Sequence, residues 1–195
     1  MCSPTESLRR VSAIVILLFA TGCATPQCPF AKCHPPKPVS CNHCPSKFPV
    51  CYADSARHFC LCLPKGLTKG NTGGYPAGTV RFTGFAVPAG TNLETKQLYI
   101  VPGTDPNTQG QTAFGHLTAD GVTFTRTKEL DGSAGHMTYV IIYTWTHGGK
   151  TLHFDFSLFT VNVNVYPPAS RPAEFDFAKQ VKYSEEIMKT FHRLP

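Results

Sequence analysis

The chain has 195 residues, of which 42% are hydrophobic and 15% charged, and its formal net charge is +6 at pH 7. This length accommodates one ordinary domain and a small module, and the hydrophobic content excludes an intrinsically disordered chain. The sequence contains no nucleophile elbow, His-Glu-x-x-His motif, phosphate loop or dinucleotide fingerprint. We therefore predict no catalytic residue, metal or cofactor site.

Residues 1–22 have the pattern of a secretory signal peptide. Arg9 and Arg10 precede a ten-residue run, 11–20, that is apolar apart from Ser12 and is followed by small residues. A positive start, an apolar core and a small-residue exit are the marks of such a signal. Because a transmembrane helix needs about 20 apolar residues, we predict export and no membrane span.

The state of Cys23 has two interpretations. Cleavage after Gly22 leaves an even set of eight cysteines within 23–63, a density typical of a disulfide framework in an oxidising compartment. This predicts four disulfides and a secreted, extracellular protein. The stretch "ATGC" resembles the lipobox of bacterial lipoproteins, which implies instead a membrane-anchored lipoprotein with lipid on Cys23. The predicted disulfide cysteines are Cys23, Cys28, Cys33, Cys41, Cys44, Cys51, Cys60 and Cys62.

The basic charge beyond the signal is concentrated on the cysteine-rich module. Residues 23–70 contain six Lys and Arg and one acid, a net charge of +5, whereas 71–195 contain ten of each sign. Such a surface attracts an anionic partner, for which a sulfated glycan, an acidic protein and lipid headgroups are the alternatives. Nucleic acid is not predicted, because the module lacks interleaved aromatic residues that stack on bases. The predicted polyanion-binding residues are Lys32, Lys37, Lys47 and Arg57.

The same segment offers two other chemistries. Cys41, Cys44 and the cysteines of "CLC" are of a type that binds zinc, but "CLC" lacks the spacing of a second ligand pair. The loop "CPSKFPVC" (44–51) carries Lys47 between two prolines and is similar to the inhibitory loop of Bowman–Birk protease inhibitors. This resemblance implies an alternative function, protease inhibition through Lys47, if a disulfide closes the loop.

The remainder of the chain has the composition of a β protein. Residues 64–78, which are rich in Gly and Pro, are predicted to be a linker. Short β-rich runs separated by turn residues predict an antiparallel β-sandwich, or a partly closed barrel, over 79–167. Asp120-Gly121 is predicted to form one of its hairpin turns.

The clearest predicted element is a hairpin that turns at Gly148-Gly149. Beyond Leu158 the apolar residues move from even to odd positions, which predicts a β-bulge near 157–159. His153 and Asp155 lie on the face opposite the aromatic residues and are expected to be solvated. The predicted register pairs Trp145 with Leu152, Tyr143 with Phe154, Ile141 with Phe156 and Tyr139 with Leu158.

Residues 168–195 are predicted to form a C-terminal amphipathic helix. Acids and bases are equally frequent on its polar face, whereas a membrane-binding helix has a basic polar face. The apolar stripe is therefore expected to pack against the sheet. Its members are Phe177, Val181, Ser184, Ile187, Met188, Phe191 and Leu194.

These observations predict a mainly β protein with a disulfide-rich N-terminal module and a C-terminal helix. The predicted function is non-enzymatic binding of an anionic extracellular partner by the basic module. Protease inhibition through Lys47, a bacterial-type lipoprotein anchored at Cys23, and a β-sandwich hydrolase with an unrecognised site are the alternatives.

Overall fold

The structure, a computed structural model, describes residues 41, 44–70, 72, 74–103, 110–133 and 135–195. Some sequence predictions lie outside these residues. They are the signal peptide and the roles assigned to Cys23, Cys28, Lys32, Cys33 and Lys37.

The described residues are mainly in β-strands, as predicted. The strands are β1 (Val50–Asp54), β2 (Phe59–Leu63), β3 (Thr68–Gly70), β4 (Val80–Thr83), β5 (Leu93–Pro102), β6 (Thr112–Ala119), β7 (Val122–Ser133), β8 (His136–His147), β9 (Lys150–Val161) and β10 (His192–Arg193). One α-helix, α1, spans Phe177–Met188, and 3-10 turns span Val163–Val165 and Pro168–Ser170.

Seven of these strands form one antiparallel sheet in the order β3-β4-β5-β9-β8-β7-β6. Its two outer strands do not pair with each other, so the sheet is open and the barrel is not closed. A second antiparallel sheet, β1-β2-β10, packs against one face of the first. The ring of Phe59 in this small sheet lies 5.4 Å from that of Phe154, and the arrangement is sandwich-like.

The β8–β9 hairpin has the predicted register. Tyr143 pairs with Phe154, and the other three predicted pairs are also present. Gly148 and Gly149 form the turn with φ of +56° and +74°, and Asp120-Gly121 forms another with φ of +48° and +69°. Two successive positive φ values match the twist of the flanking strands, which explains the glycines in both turns.

The irregular pairing predicted near 157–159 is present, but the extra residue is not on β9. β9 pairs with β8 without a register shift from Lys150 to Val161. The irregularity lies on the other neighbour of β9, between Leu93 and Thr95 of β5. The extra residue lies opposite Phe159 and Thr160, so β9 keeps its own alternation and Phe159 lies on the second face, where it stacks on His136 at 4.8 Å.

The described part of the cysteine-rich segment, 41 and 44–63, shares one core with the large sheet. Phe59, Leu61 and Leu63 of β2 are buried in the same hydrophobic cluster as Phe154 and Phe156 of β9. The structure therefore differs from the predicted division into a module (23–63) and a separate β domain. The apolar residues of β2 complete the core of the sheet. The predicted linker also contains a strand, β3, which pairs with β4.

The C-terminal helix is shorter than predicted and packs on the sheet as expected. The carboxylate of Asp176 accepts a hydrogen bond from the Lys179 N–H and caps the first turn. The Tyr143 and Ser184 hydroxyls lie 2.8 Å apart and join the helix to β8. After α1 the chain becomes extended and pairs with β2 as β10, so the predicted helix over 168–195 was wrong at both ends.

Two disulfides lie in the described part of the chain, Cys41–Cys51 and Cys44–Cys62. Cys60 was predicted to be disulfide-bonded, and the structure shows it as a buried free thiol. Its direct cross-strand neighbours are Ala53 on β1 and His192 on β10.

Candidate functional site

A cleft of about 1300 Å³ opens at one end of the large sheet. Five chain segments that are distant in sequence form its walls. They are the β1–β2 turn, the end of β5, the β6–β7 turn at Asp120, the tip of the β8–β9 hairpin, and the residues from Arg193 onward.

Backbone pairing fixes these segments relative to one another. Gly103, after β5, donates its N–H to the carbonyl of Thr151 on the hairpin at 2.9 Å. The Arg193 N–H donates to the carboxylate of Asp120 at 2.8 Å, which ties β10 to the β6–β7 turn. The cleft is therefore built on the ends of paired strands, which hold side chains more precisely than free loops do.

Basic side chains outnumber acidic ones in the cleft. Asp120 is the one acidic side chain among the described residues that line the cleft. Other lining positions include apolar residues and glycines. The basic lining residues are Arg57, His58, His147, Lys150 and Arg193.

Some of these charges already have partners in the protein. Arg57 donates from Nη1 to the Asp54 carboxylate at 2.8 Å, and it also donates to the carbonyl of Gly78. His58 Nδ1 lies 3.1 Å from an oxygen of Pro195. Arg57 and His58 therefore hold the β1–β2 turn in place, and this use limits what they contribute to a ligand.

Lys150 and Arg193 differ from Arg57 in this respect. Both are exposed, and no ion pair within the described residues involves the Lys150 ammonium or the Arg193 guanidinium. These two side chains are the most accessible source of positive charge in the cleft.

Asp120 serves a structural purpose at the rim of the cleft. The hydrogen bond from the Arg193 backbone N–H is the main reason that the pKa of Asp120 lies below its ordinary value. The nearby charges of His192 and Arg193 act in the same direction. Asp120 therefore stays ionised and anchors β10.

The apolar wall of the cleft is Trp145, the one tryptophan of the chain. It was predicted to be buried with Tyr143 and Phe154, and it is instead half-buried at the edge of the core. Its indole packs edge-on against Phe191 with ring centres 5.3 Å apart, and it stacks on His147 at 5.5 Å. The remaining exposed part of the indole offers a flat apolar surface beside the cationic groups.

The structure places one predicted polyanion-binding residue, Arg57, in the cleft. Lys47 lies elsewhere, in an ion pair with Glu186 of α1. Its ammonium also lies 5.5 Å from the ring centre of Phe48 and 5.7 Å from that of Tyr183. These contacts occupy the Lys47 charge within the fold.

The structure also lacks, among its described residues, the disulfide that the inhibitory-loop interpretation requires. A Cys44–Cys51 disulfide would have closed the loop, and both cysteines are bonded to other partners. Lys47 is directed to helix α1 by its ion pair with Glu186, whereas an inhibitory residue must project into a protease cleft.

The expectation that His153 and Asp155 are solvated was wrong. Their exposed fractions are 6% and 4%, and His153 Nδ1 lies 3.0 Å from the Thr144 hydroxyl. Val101 and Ile142 beside them are also buried, so this part of the second face of the sheet is not open to solvent.

Sequence reasoning missed Lys150, Arg193 and Trp145 as members of one site. Lys150 follows the predicted Gly148-Gly149 turn, so its position at a hairpin tip was foreseeable. Its place in the same cleft as Arg193 was not, because that depends on β10, where the sequence pattern predicted helix. No helix within the described residues is both long enough and apolar enough to cross a membrane.

Comparisons with known proteins identify no family. No protein-family model and no curated protein matches the chain. Among solved structures it is similar to a protein of Bacteroides thetaiotaomicron VPI-5482, with 11% identity and a TM-score of 0.44 over 74% of this chain and 48% of that one. It is also similar to cyanobacterial PsbP (CyanoP) from Synechocystis sp. PCC 6803, with 14% identity and a TM-score of 0.42 over 80% and 98% of the two chains. The chain thus spans about half the length of the Bacteroides protein, and neither similarity bears on function.

Proposed function

We propose that this protein is an exported, non-enzymatic binding protein that takes an anionic ligand in the cleft beside Trp145. The observation that supports the proposal is that Lys150 and Arg193 are exposed, line the cleft and form no ion pair within the described residues, although the negative charge of Asp120 lies near Arg193. The signal-like residues 1–22 and the two disulfides support export.

The proposal moves the anion-binding surface from the cysteine-rich segment to the cleft. Lys47 is not expected to be a main contact, because an anion would compete with Glu186 for it. Arg57 keeps a secondary role, since it lines the cleft but is held by Asp54. The ligand best suited to the cleft carries negative groups for Lys150 and Arg193 and an apolar or planar part for Trp145. A sulfated glycan fits this description and serves as the probe.

The test is retention of the full-length protein on a heparin column developed with a salt gradient. The double variant Lys150→Ala/Arg193→Ala should elute at distinctly lower salt, because attraction between exposed charges is weakened by screening. The control variant Lys65→Ala/Lys128→Ala removes the same charge from exposed positions outside the cleft and should elute close to the wild type. Equal losses in the two double variants would show that heparin responds to net charge alone.

A third variant separates the cleft from the cysteine-rich segment. Lys32→Ala/Lys37→Ala/Lys47→Ala removes three positive charges and changes none of the described lining residues of the cleft. We expect a smaller shift in elution than for the cleft variant, although one more charge is lost. A larger shift would return the binding surface to the cysteine-rich segment and contradict the proposal.

A further inference from the structure

A third sulfur lies beside the Cys41–Cys51 disulfide. The Sγ atoms of Cys41, Cys51 and Cys60 all lie within 4.8 Å of one another. Cys60 is a free thiol with an exposed fraction of 1%, and Cys41 is also buried, whereas Cys51 is exposed on β1. The Cys60 thiol and the Cys41 sulfur are thus held together inside the protein, whereas the other sulfur of the disulfide belongs to an exposed residue.

The two sulfurs of the disulfide differ as leaving groups. The Cys41 backbone N–H donates a hydrogen bond to the Cys51 Sγ at 3.0 Å. Such a donor stabilises negative charge on that sulfur, and exposure to water does the same. A thiol with a lower pKa leaves faster in exchange, so attack on Cys41 with departure of Cys51 is favoured over the reverse.

We propose that Cys60 exchanges with this disulfide and releases Cys51 as a surface thiol. The Cys60 thiolate attacks Cys41 Sγ, the Cys41–Cys60 bond forms, and the Cys41–Cys51 bond breaks. The electron pair leaves with Cys51. The proton lost by Cys60 is balanced by the proton that Cys51 takes up from water, so the number of disulfides is unchanged and no oxidant is needed.

The exchange creates a modification site that the resting structure lacks. The Cys51 thiol would lie at an exposed position of β1, where a disulfide or electrophile of another molecule can react with it. Burial raises the pKa of Cys60, and the nearby negative charge of Asp120 raises it further. The reaction is therefore slow at neutral pH, and its rate should rise about tenfold per pH unit below that pKa, as the thiolate fraction does.

Trypsin digestion provides a direct readout, because Lys47, Arg57 and Lys65 separate the cysteines involved. Peptide 48–57 contains Cys51 alone, and peptide 58–65 contains Cys60 and Cys62. In the resting form, peptide 48–57 is held by the Cys41–Cys51 bond. After exchange it is released with a free thiol, whereas 33–47 and 58–65 become joined by two bonds.

The experiment incubates full-length oxidised protein at a series of pH values, quenches it with acid and labels thiols with a maleimide in acidic denaturant. Maleimide-labelled 48–57 should appear in the wild type, increase with pH, and be at least tenfold less abundant in Cys60→Ala. The proposal is overturned if labelled 48–57 stays absent while Cys60 remains labelled at every pH. It is also overturned if Cys60→Ala releases as much labelled 48–57 as the wild type.

A second variant tests the geometry if Cys60→Ala fails to fold. Cys51→Ala removes the leaving sulfur, and oxidative refolding should then join Cys41 to Cys60. The mass of the linked peptides 33–47 and 58–65 reports this second bond as a loss of two hydrogens. Recovery of both Cys41 and Cys60 as labelled thiols would contradict the proposed exchange.

Discussion

Truncation of Phe154 tests the shared core most severely. Phe154 is fully buried, and its ring packs edge-on against three aromatic rings from separate elements. The distances between ring centres are 5.4 Å to Phe59, 5.9 Å to Phe124 and 5.9 Å to Phe191. Phe154→Ala should lower the free energy of unfolding by about 3–5 kcal/mol, toward the upper end because the three aromatic contacts are lost together.

This loss is a large fraction of the stability of an ordinary domain, which is about 5–15 kcal/mol. For a chain of this length, about 2–4 °C of Tm is lost per kcal/mol, so the melting temperature should fall by about 6–20 °C. Urea unfolding followed by circular dichroism measures the free energy, and differential scanning calorimetry measures Tm.

Phe159→Ala is the matched control for Phe154→Ala. Phe159 lies on the same strand but on the other face, is partly exposed, and stacks on His136. Its truncation should cost about 1 kcal/mol, the worth of one aromatic contact. If Phe154→Ala were no more destabilising than Phe159→Ala, the assignment of the core to this face of the sheet would be refuted.

Three further predictions concern single interactions. Replacing both Cys44 and Cys62 with Ala should lower the free energy of unfolding by about 2–4 kcal/mol in urea titrations, because the unfolded chain gains freedom; no loss would show that the bond does not constrain the fold. Asp120→Asn tolerates the positive φ, and it should destabilise the protein above the ordinary carboxyl pKa of 3.8, with the difference from the wild type shrinking as pH falls through the lower folded-state pKa; a difference independent of pH would contradict the ionised anchor. Lys47→Ala should cost less than about 1 kcal/mol, since its ion pair is exposed, and it should leave trypsin activity in the presence of the protein unchanged; inhibition that disappears in the variant would restore the inhibitor hypothesis.

The β8–β9 hairpin was predictable because local signals agreed. Gly148-Gly149 permits the tight turn, and alternation of large apolar residues on both arms allows one register only. The predicted bulge was placed on β9, and not on β5, because the prediction assumed that one face of the sheet is solvated and that all apolar residues of β9 lie on the other. That assumption also misplaced His153 and Asp155, which the sequence alone cannot distinguish from exposed polar residues.

The domain division failed for a related reason. Composition showed the cysteines before residue 63 and most of the aromatic residues after 79, but composition carries no information on which apolar side chains meet. The "FCLCL" stretch, β2, is buried at all five positions, and these residues meet the large sheet only through tertiary packing. A Gly- and Pro-rich stretch such as 64–78 is compatible with a linker and equally with the turns around a short strand, β3.

The cleft could not be predicted from sequence because its parts are far apart along the chain. Lys150, Arg193 and Trp145 belong to a hairpin tip, a terminal strand and the edge of the core. Net charge pointed to the cysteine-rich segment, but charge counts do not show that Lys47 is neutralised by Glu186 across 139 positions. Pairing, rather than abundance, decides which charges a ligand can reach.

Fluorescence of Trp145 tests anion binding in the cleft most directly. It is the sole tryptophan of the chain, so the indole emission of the full-length protein reports on this one position. Titration with a heparin oligosaccharide should change the emission saturably, and the change should weaken in high salt and in Lys150→Ala/Arg193→Ala. If calorimetry records heparin binding while the Trp145 emission stays constant, the ligand lies elsewhere and the central claim is contradicted.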